Sequence, residues 1–346
     1  MPLSDAAGYP LWINVLIFLA AAGVIWFSGL RLTRHLDAIA TRTGLEQAFV
    51  GMLLLGGITS LPEVANTVTA AQLGRPALAV NNLLGSAAIN VLLLAVVDGF
   101  VGRAAVTSIV AKPSTMMMAA LCMMVLILIA VVVTLGDVLI PGIGIGAGSL
   151  AIGAAAVFSF WLATGHDRRS PWSVEGDEDD GAEPEDAVPD VGLPGLWVRV
   201  AIDGVLILVA GYALSAVGDA LSQQLGLTSA IVGFGLIGTA TSLPELVTIV
   251  AALKLGRPEM AFGQVLGTNF VNLALFPLGD AIYRGGPMID TLGRFETISA
   301  LLGAGLIGVF MVGLLEHRDR TIWKMGVDSA AVIVLFAMGT AALAMV

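Results

Sequence analysis

The segment Gly56-Gly57-Ile58-Thr59-Ser60-Leu61-Pro62-Glu63 returns 182 residues later as Gly238-Thr239-Ala240-Thr241-Ser242-Leu243-Pro244-Glu245. At the same offset Leu73-Gly74-Arg75-Pro76 matches Leu255-Gly256-Arg257-Pro258, Leu84-Gly85-Ser86 matches Leu266-Gly267-Thr268, and Asn90 and Asp98 match Asn272 and Asp280, with no insertion between them. Such a chain folds as two copies of one unit. Each copy sets a glutamate and an asparagine inside long apolar runs, where a buried ionisable group must be offset by a partner and is a functional candidate for that reason. Two such sites related by duplication are what symmetric movement of an ion across a membrane needs.

Composition identifies the solvent. With 57% hydrophobic and 12% charged residues and a mean hydropathy of +0.93, this is a polytopic membrane protein rather than a soluble domain. The net charge of -10 is local: nine of the 26 acids lie between Ser173 and Gly192, leaving 17 acids against 16 bases elsewhere. That acidic stretch reads as a solvated linker. The single cysteine, Cys122, excludes an internal disulfide. The first apolar stretch follows Asp5 without a basic region and is expected to be retained as a helix.

Apolar runs of about 20 residues or more, enough to span a bilayer, fall at 10–31, 45–73, 76–101, 114–135, 138–163, 196–217, 227–255, 258–283, 293–315 and 324–346. The expected fold is an all-α polytopic membrane protein of ten transmembrane helices, arranged as two five-helix repeats with broken helices at the ion site. The first repeat is 1–164 with motifs at 54–98, the linker is 165–194, and the second repeat is 195–346 with motifs at 236–280. An odd number of spans per copy makes the repeats face opposite ways. With the N-terminus outside, only Arg75, Arg284 and Arg294 of the 16 basic residues fall on the outer side. The excess of inner cations places both termini outside and the acidic linker in the cytoplasm.

Pro62 lacks an amide hydrogen and crowds the preceding turn, so the Ile58 carbonyl loses its helical partner and the helix bends or opens; Pro244 does the same to Ala240. Opened backbone must face protein or a wet cavity. The break offers carbonyl oxygens, the hydroxyls of Thr59, Ser60, Thr241 and Ser242, and the carboxylates of Glu63 and Glu245. The second segment of each copy adds Ser86 and Asn90, or Thr268 and Asn272, four residues apart and on one helical face. All are hard oxygen ligands suited to sodium, calcium or magnesium, with no sulfur or imidazole among them. Ser, Thr and Asn in membrane helices often serve only packing; their recurrence beside a glutamate at fixed spacing favours a site.

Both copies resemble the alpha repeats of the calcium/cation antiporter superfamily, in particular its sodium/calcium exchangers, whose motifs run Gly-[Thr/Ser]-Ser-Leu-Pro-Glu and then Gly-Ser-Asn-x-x-Asn or Asp. The motif match covers about 45 residues in each half. The resemblance implies a central site in which Glu63 and Glu245 bind calcium and share sodium, Thr59, Ser60, Thr241 and Ser242 supply carbonyls and hydroxyls, Ser86, Asn90, Thr268 and Asn272 complete the shell, and Gly56 and Gly238 offer backbone carbonyls. It implies alternating access by helices one and six sliding on the core, no resident cofactor, calcium and sodium ions and the lipid bilayer as partners, no nucleic acid, and a prokaryotic plasma membrane.

The chain departs from that pattern. Many exchangers carry aspartate where Asn272 stands, so only two carboxylates remain. The usual Gly-Asn before the glycine-serine element is Asn81-Asn82 in one copy and Gly263-Gln264 in the other, and Ala87 stands where the second copy has Asn269. Calcium on two glutamates is neutral, as are two protons; three sodium ions leave one positive charge. Sodium/calcium antiport is the leading reading and proton/calcium antiport the alternative. A cation channel could use the same ligands. An intramembrane hydrolase lacks a base, since His35, His166 and His317 are all expected in loops. Asp37 and Asp219 are expected to be solvated or helix-end acids at the membrane edges.

Overall fold

The structure is a computed structural model that describes residues 3–101, 113–166, 191–225, 238–316, 321–322 and 325–346. The helices are α1 Leu11–Thr43, α2 Gln47–Thr59, α3 Leu61–Gln72, α4 Pro76–Val101, α5 Pro113–Leu135, α6 Ala147–His166, α7 Leu193–Leu225, α8 Gly238–Thr241, α9 Leu243–Lys254, α10 Pro258–Ala274, α11 Phe276–Ile282, α12 Arg294–Glu316 and α13 Val327–Leu343. Short 3-10 turns at Leu3–Gly8 and Met288–Thr291 and a hairpin of Thr321–Ile322 with Met325–Gly326 complete the described residues.

Five of these helices, and α10 running on through α11 as a sixth span, are long and apolar enough to cross a membrane, and α2 with α3 forms a seventh, bent span. The shorter α6 and α13 are apolar too. The ten expected spans are matched only by adding both, and α9, whose preceding residues 226–237 lie outside the described residues. Several bounds move. The first helix runs on to Thr43 and places His35 inside it, not in a loop, while His166 closes α6 and His317 lies outside the described residues. The expected span at 138–163 starts at Ala147, because 138–146 makes a turn closed by a Leu139–Gly146 bridge.

The repeated Leu-Gly-Arg-Pro is a helix stop followed by a start. Gly74 and Gly256 adopt φ of 69° and 68°, the left-handed cap that glycine takes without strain. The Arg75 and Arg257 amides reach back to Ala70 and Ala252 at 2.9 Å. Pro76 and Pro258 then open α4 and α10 at the position where a missing N–H costs nothing.

Small residues set the packing. α1 and α7 lie along one another, and each covers a motif helix of the other half: a Cβ on Gly29 would stand 3.0 Å from Val247, and one on Gly211 would overlap Pro62. Gly29 and Gly211 are themselves 182 residues apart. α2 and α10 meet backbone to backbone, since a Cβ on Gly51, Gly263 or Gly267 would overlap the carbonyl of Met260, Ala48 or Met52 respectively. Where lipid is as apolar as leucine, such close approach supplies the dispersion and fit that hold helices together.

Two buried aspartates tie the halves reciprocally. Asp98 accepts the Gly326 amide at 2.8 Å just before α13, and Asp280 accepts the Gly146 amide at 2.6 Å just before α6. Each repeat thus supplies the carboxylate for the start of the other's last helix, where free N–H groups and the positive dipole end favour an anion.

Candidate ion site

Both breaks lie where proline requires them. Ser60 separates α2 from α3 at a 40° bend, and Ser242 separates α8 from α9. Pro62 and Pro244 therefore occupy the first turn of α3 and α9 rather than a helix interior. The Ser60 amide approaches the carbonyls of Gly56 and Ile58 together, which relieves the partner lost to Pro62. A π-helical stretch, Val50–Leu55, precedes the first break; its wider turn is a feature that concentrates at functional sites, and the sequence carried no signal for it.

The breaks and the crossing of α4 with α10 bring the expected residues together. Thr59, Ser60, Glu63, Ser86, Asn90, Thr241, Ser242, Glu245, Thr268 and Asn272 are each 0% exposed. Ser86 Oγ on α4 donates to Glu63 Oε1 at 3.3 Å and stands 3.2 Å from Thr241 Oγ1 of the other half. Its repeat mate, Thr268 Oγ1, stands 3.4 Å from Thr59 Oγ1, so the hydroxyl bridge between halves occurs twice.

The Gly56 carbonyl is a crowded acceptor, reached by Ser60 Oγ at 2.7 Å, the Ser60 amide at 3.1 Å, Thr59 Oγ1 at 3.3 Å and Thr268 Oγ1 at 3.4 Å. The Gly238 carbonyl takes the Ser242 amide at 3.0 Å and Thr241 Oγ1 at 3.3 Å. By contrast, Glu63 Oε2, both Glu245 oxygens, Ser242 Oγ and both side-chain polar atoms of Asn90 and of Asn272 are buried without a hydrogen-bond partner among the described residues. An unsatisfied buried polar atom costs about 1–3 kcal/mol, so a cluster of them marks a place built for something other than protein contacts. Among the described residues no three of His, Cys, Asp and Glu converge; the cluster is two carboxylates within neutral oxygens, chemistry suited to a hard cation.

Three features escaped the sequence reading. Asn82 Oδ1 accepts from Thr241 Oγ1 at 3.3 Å, and Gln264 Nε2 donates to Thr248 Oγ1. Asp203 on α7, 2% exposed, pairs with Arg31 at 2.9 Å and with His35 Nδ1 at 3.1 Å on α1. Asp37 is not solvated: it accepts from Arg257 Nε at 3.0 Å and Gln47 Nε2 at 3.1 Å. The side chain of Asp219 lies outside the described residues.

Broken membrane helices gathering buried carboxylates and hydroxyls define an integral membrane protein of the cation-transporting type. The family model "Sodium/calcium exchanger protein" matches residues 13–164 and 196–339, so the chain belongs to that family, within the calcium/cation antiporter superfamily. It is 23% identical over 314 residues to the putative antiporter CaxA of Alkalimonas amylolytica, covering 89% of this chain and 92% of that one. It is 26% identical over 290 residues to the inner membrane protein YrbG of Escherichia coli K12, covering 82% and 84%. A shorter match, 39% over 54 residues (16% of this chain and 15% of that one), is to the sodium/calcium exchanger MaX1 of Methanosarcina acetivorans. Among solved structures the fold is similar to the sodium-calcium exchanger NCX_Mj soaked with 2.5 mM Na+ and 0.1 mM Sr2+, with a TM-score of 0.68 at 16% identity over 96% of this chain and 99% of that one. The family consists of transporters, and this chain is a calcium/cation antiporter.

Proposed function

We propose that the chain exchanges calcium for sodium by alternating access, with one central site formed by Glu63, Glu245, Asn90, Asn272, Ser86, Thr268, Thr59, Thr241, Ser60, Ser242 and the carbonyls of Gly56 and Gly238. The observation that carries this reading is the set of unpartnered buried oxygens on Glu63, Glu245, Asn90, Asn272 and Ser242, held together by hydroxyl bridges between halves. Two carboxylates balance one divalent ion, and the neutral oxygens replace its water. Sodium competes for the same oxygens, which couples the fluxes.

The architecture proposed with it is ten spans in two inverted halves, 1–164 and 195–346, joined by a cytoplasmic linker at 165–194, with both termini outside in a prokaryotic plasma membrane. α1 and α7 lie across the motif helices α9 and α3, the position from which sliding exposes the site to one side at a time.

A proton-coupled second reading is favoured by asparagine at both 90 and 272, since two protons on two glutamates reproduce the neutral calcium state without a third charge. Calcium-45 uptake into proteoliposomes separates the readings. A sodium gradient alone should drive accumulation; uptake driven only by a proton gradient establishes the second reading, and calcium equilibration without accumulation overturns antiport altogether.

A further inference from the structure

Asn82 is fully buried on α4, one turn before Ser86, and none of the ligand roles above falls to it. Its Oδ1 receives the Thr241 hydroxyl at 3.3 Å, Thr241 Oγ1 stands 3.2 Å from Ser86 Oγ, and Ser86 Oγ stands 3.3 Å from Glu63 Oε1. Asn82, Thr241, Ser86 and Glu63 thus form a line that crosses twice between the halves. The two hydroxyls in it carry two protons. With no cation on Glu63, the Ser86 proton is accepted by the carboxylate. With a divalent cation there, a proton pointed at Glu63 also faces the positive charge, and each hydroxyl can serve as a ligand only by turning a lone pair inward. The protons then run the other way, Ser86 to Thr241 and Thr241 outward. That arrangement needs a terminal acceptor that is not itself a ligand.

The Gly238 carbonyl, also 3.3 Å from Thr241 Oγ1, already receives the Ser242 amide at 3.0 Å and is itself assigned to the ion. Asn82 Oδ1 has no such second duty. We infer that Asn82 is a positioning residue that takes the Thr241 proton when a divalent cation binds, so that Thr241 and Ser86 present lone pairs to it. This rests on the ion-site reading above.

The opposite half works differently. Gln264, the repeat mate of Asn82, is one methylene longer and gives its Nε2 to Thr248 rather than reaching Thr59. Thr59 donates to the Leu55 carbonyl at 3.0 Å, one turn back in its own helix.

The test is a double-mutant cycle on calcium affinity, measured by calorimetric titration of the full chain in detergent. Asn82→Leu should weaken calcium binding about tenfold, roughly the worth of one hydrogen bond next to a charge. In a Thr241→Val background the same change should cost less than twofold, because the proton it handles is gone. Asn82→Asp keeps an acceptor oxygen at nearly the same volume and should bind calcium at least as tightly as the native chain; Asn82→Ala replaces the leucine variant if that one fails to fold. Gln264→Leu should shift affinity less than threefold. An equal loss in both backgrounds, or no loss in either, overturns the assignment. Glu63→Gln measured alongside separates the two levels: if it binds calcium normally, the ion-site reading falls and this one with it, and if it has lost binding while Asn82→Leu has not, only the role of Asn82 falls.

Discussion

Asn272 is the residue at which this chain most departs from the pattern it resembles. It is 0% exposed, and neither Nδ2 nor Oδ1 of its side chain has a hydrogen-bond partner among the described residues. A carboxylate there must bind a cation or take a proton, since its free charged form is costly to bury. Asn272→Asp should therefore change the sodium or pH dependence of calcium flux while leaving the melting temperature nearly unchanged; identical profiles place residue 272 outside the site. Asp37 is the opposite case. It holds Arg257 and Gln47, so Asp37→Asn should lower stability by about 1–3 kcal/mol, as for a hydrogen bond to a charged group, with calcium affinity unchanged in titration. The glutamates and hydroxyls were legible because each recurs 182 residues on. Asp203, Arg31 and His35 were not, because their repeat positions hold Ala21, Ala213 and Val217 and a repeat-based reading passes over unpaired features. Asn82 and Gln264 were visible only as departures; their different reach needed coordinates.

At the level of elements, proline and glycine were the readable signals. Pro62 and Pro244 marked both breaks, and the repeated Leu-Gly-Arg-Pro marked two helix ends. The continuation of α1 through Arg34, His35 and Asp37 was obscured because those charges resemble a loop, whereas His35 is buried against Asp203 on α7 and Asp37 against Gln47 of α2 and Arg257 at the start of α10. The tight α2–α10 contact gives an element-scale prediction. Gly267→Ala drives a methyl into the Met52 carbonyl, and overpacking of this kind costs about 1–3 kcal/mol. It should depress both thermal stability and calcium affinity, since the displaced helices carry Thr59 and Thr268. Gly57→Ala, which meets nothing within 4 Å, should leave both intact. Equal behaviour of the two variants in a thermal-shift and titration series contradicts a site held by helix contact. Asp280 offers a second check. It receives two amides, from Gly146 and Met288 at 2.6 Å each, of which asparagine can accept only through its one oxygen. Asp280→Asn should destabilise the fold without altering which ion drives flux.

Across the whole molecule, most contacts that matter join the halves: α1 on α9, α7 on α3, Asp98 with Gly326, Asp280 with Gly146, and two hydroxyl bridges at the centre. An interface of this kind needs no help from the linker, whose residues 167–190 lie outside the described ones. Deletion of Val174 to Val191 should leave exchange in proteoliposomes intact; loss of exchange in a folded deletion protein gives the acidic stretch a role in transport. The one-sided cluster of Arg31, His35 and Asp203 has no counterpart at the repeat positions and makes the α1–α7 pair the least symmetric part of the fold. The central claim is that one divalent ion is held between a glutamate from each half, and both carboxylates are needed to balance it. Calcium titration and calcium-45 flux on Glu63→Gln and Glu245→Gln test it most directly. Both variants should remain folded in detergent, lose high-affinity calcium binding and lose exchange; near-native affinity and flux in Glu245→Gln would contradict a shared site.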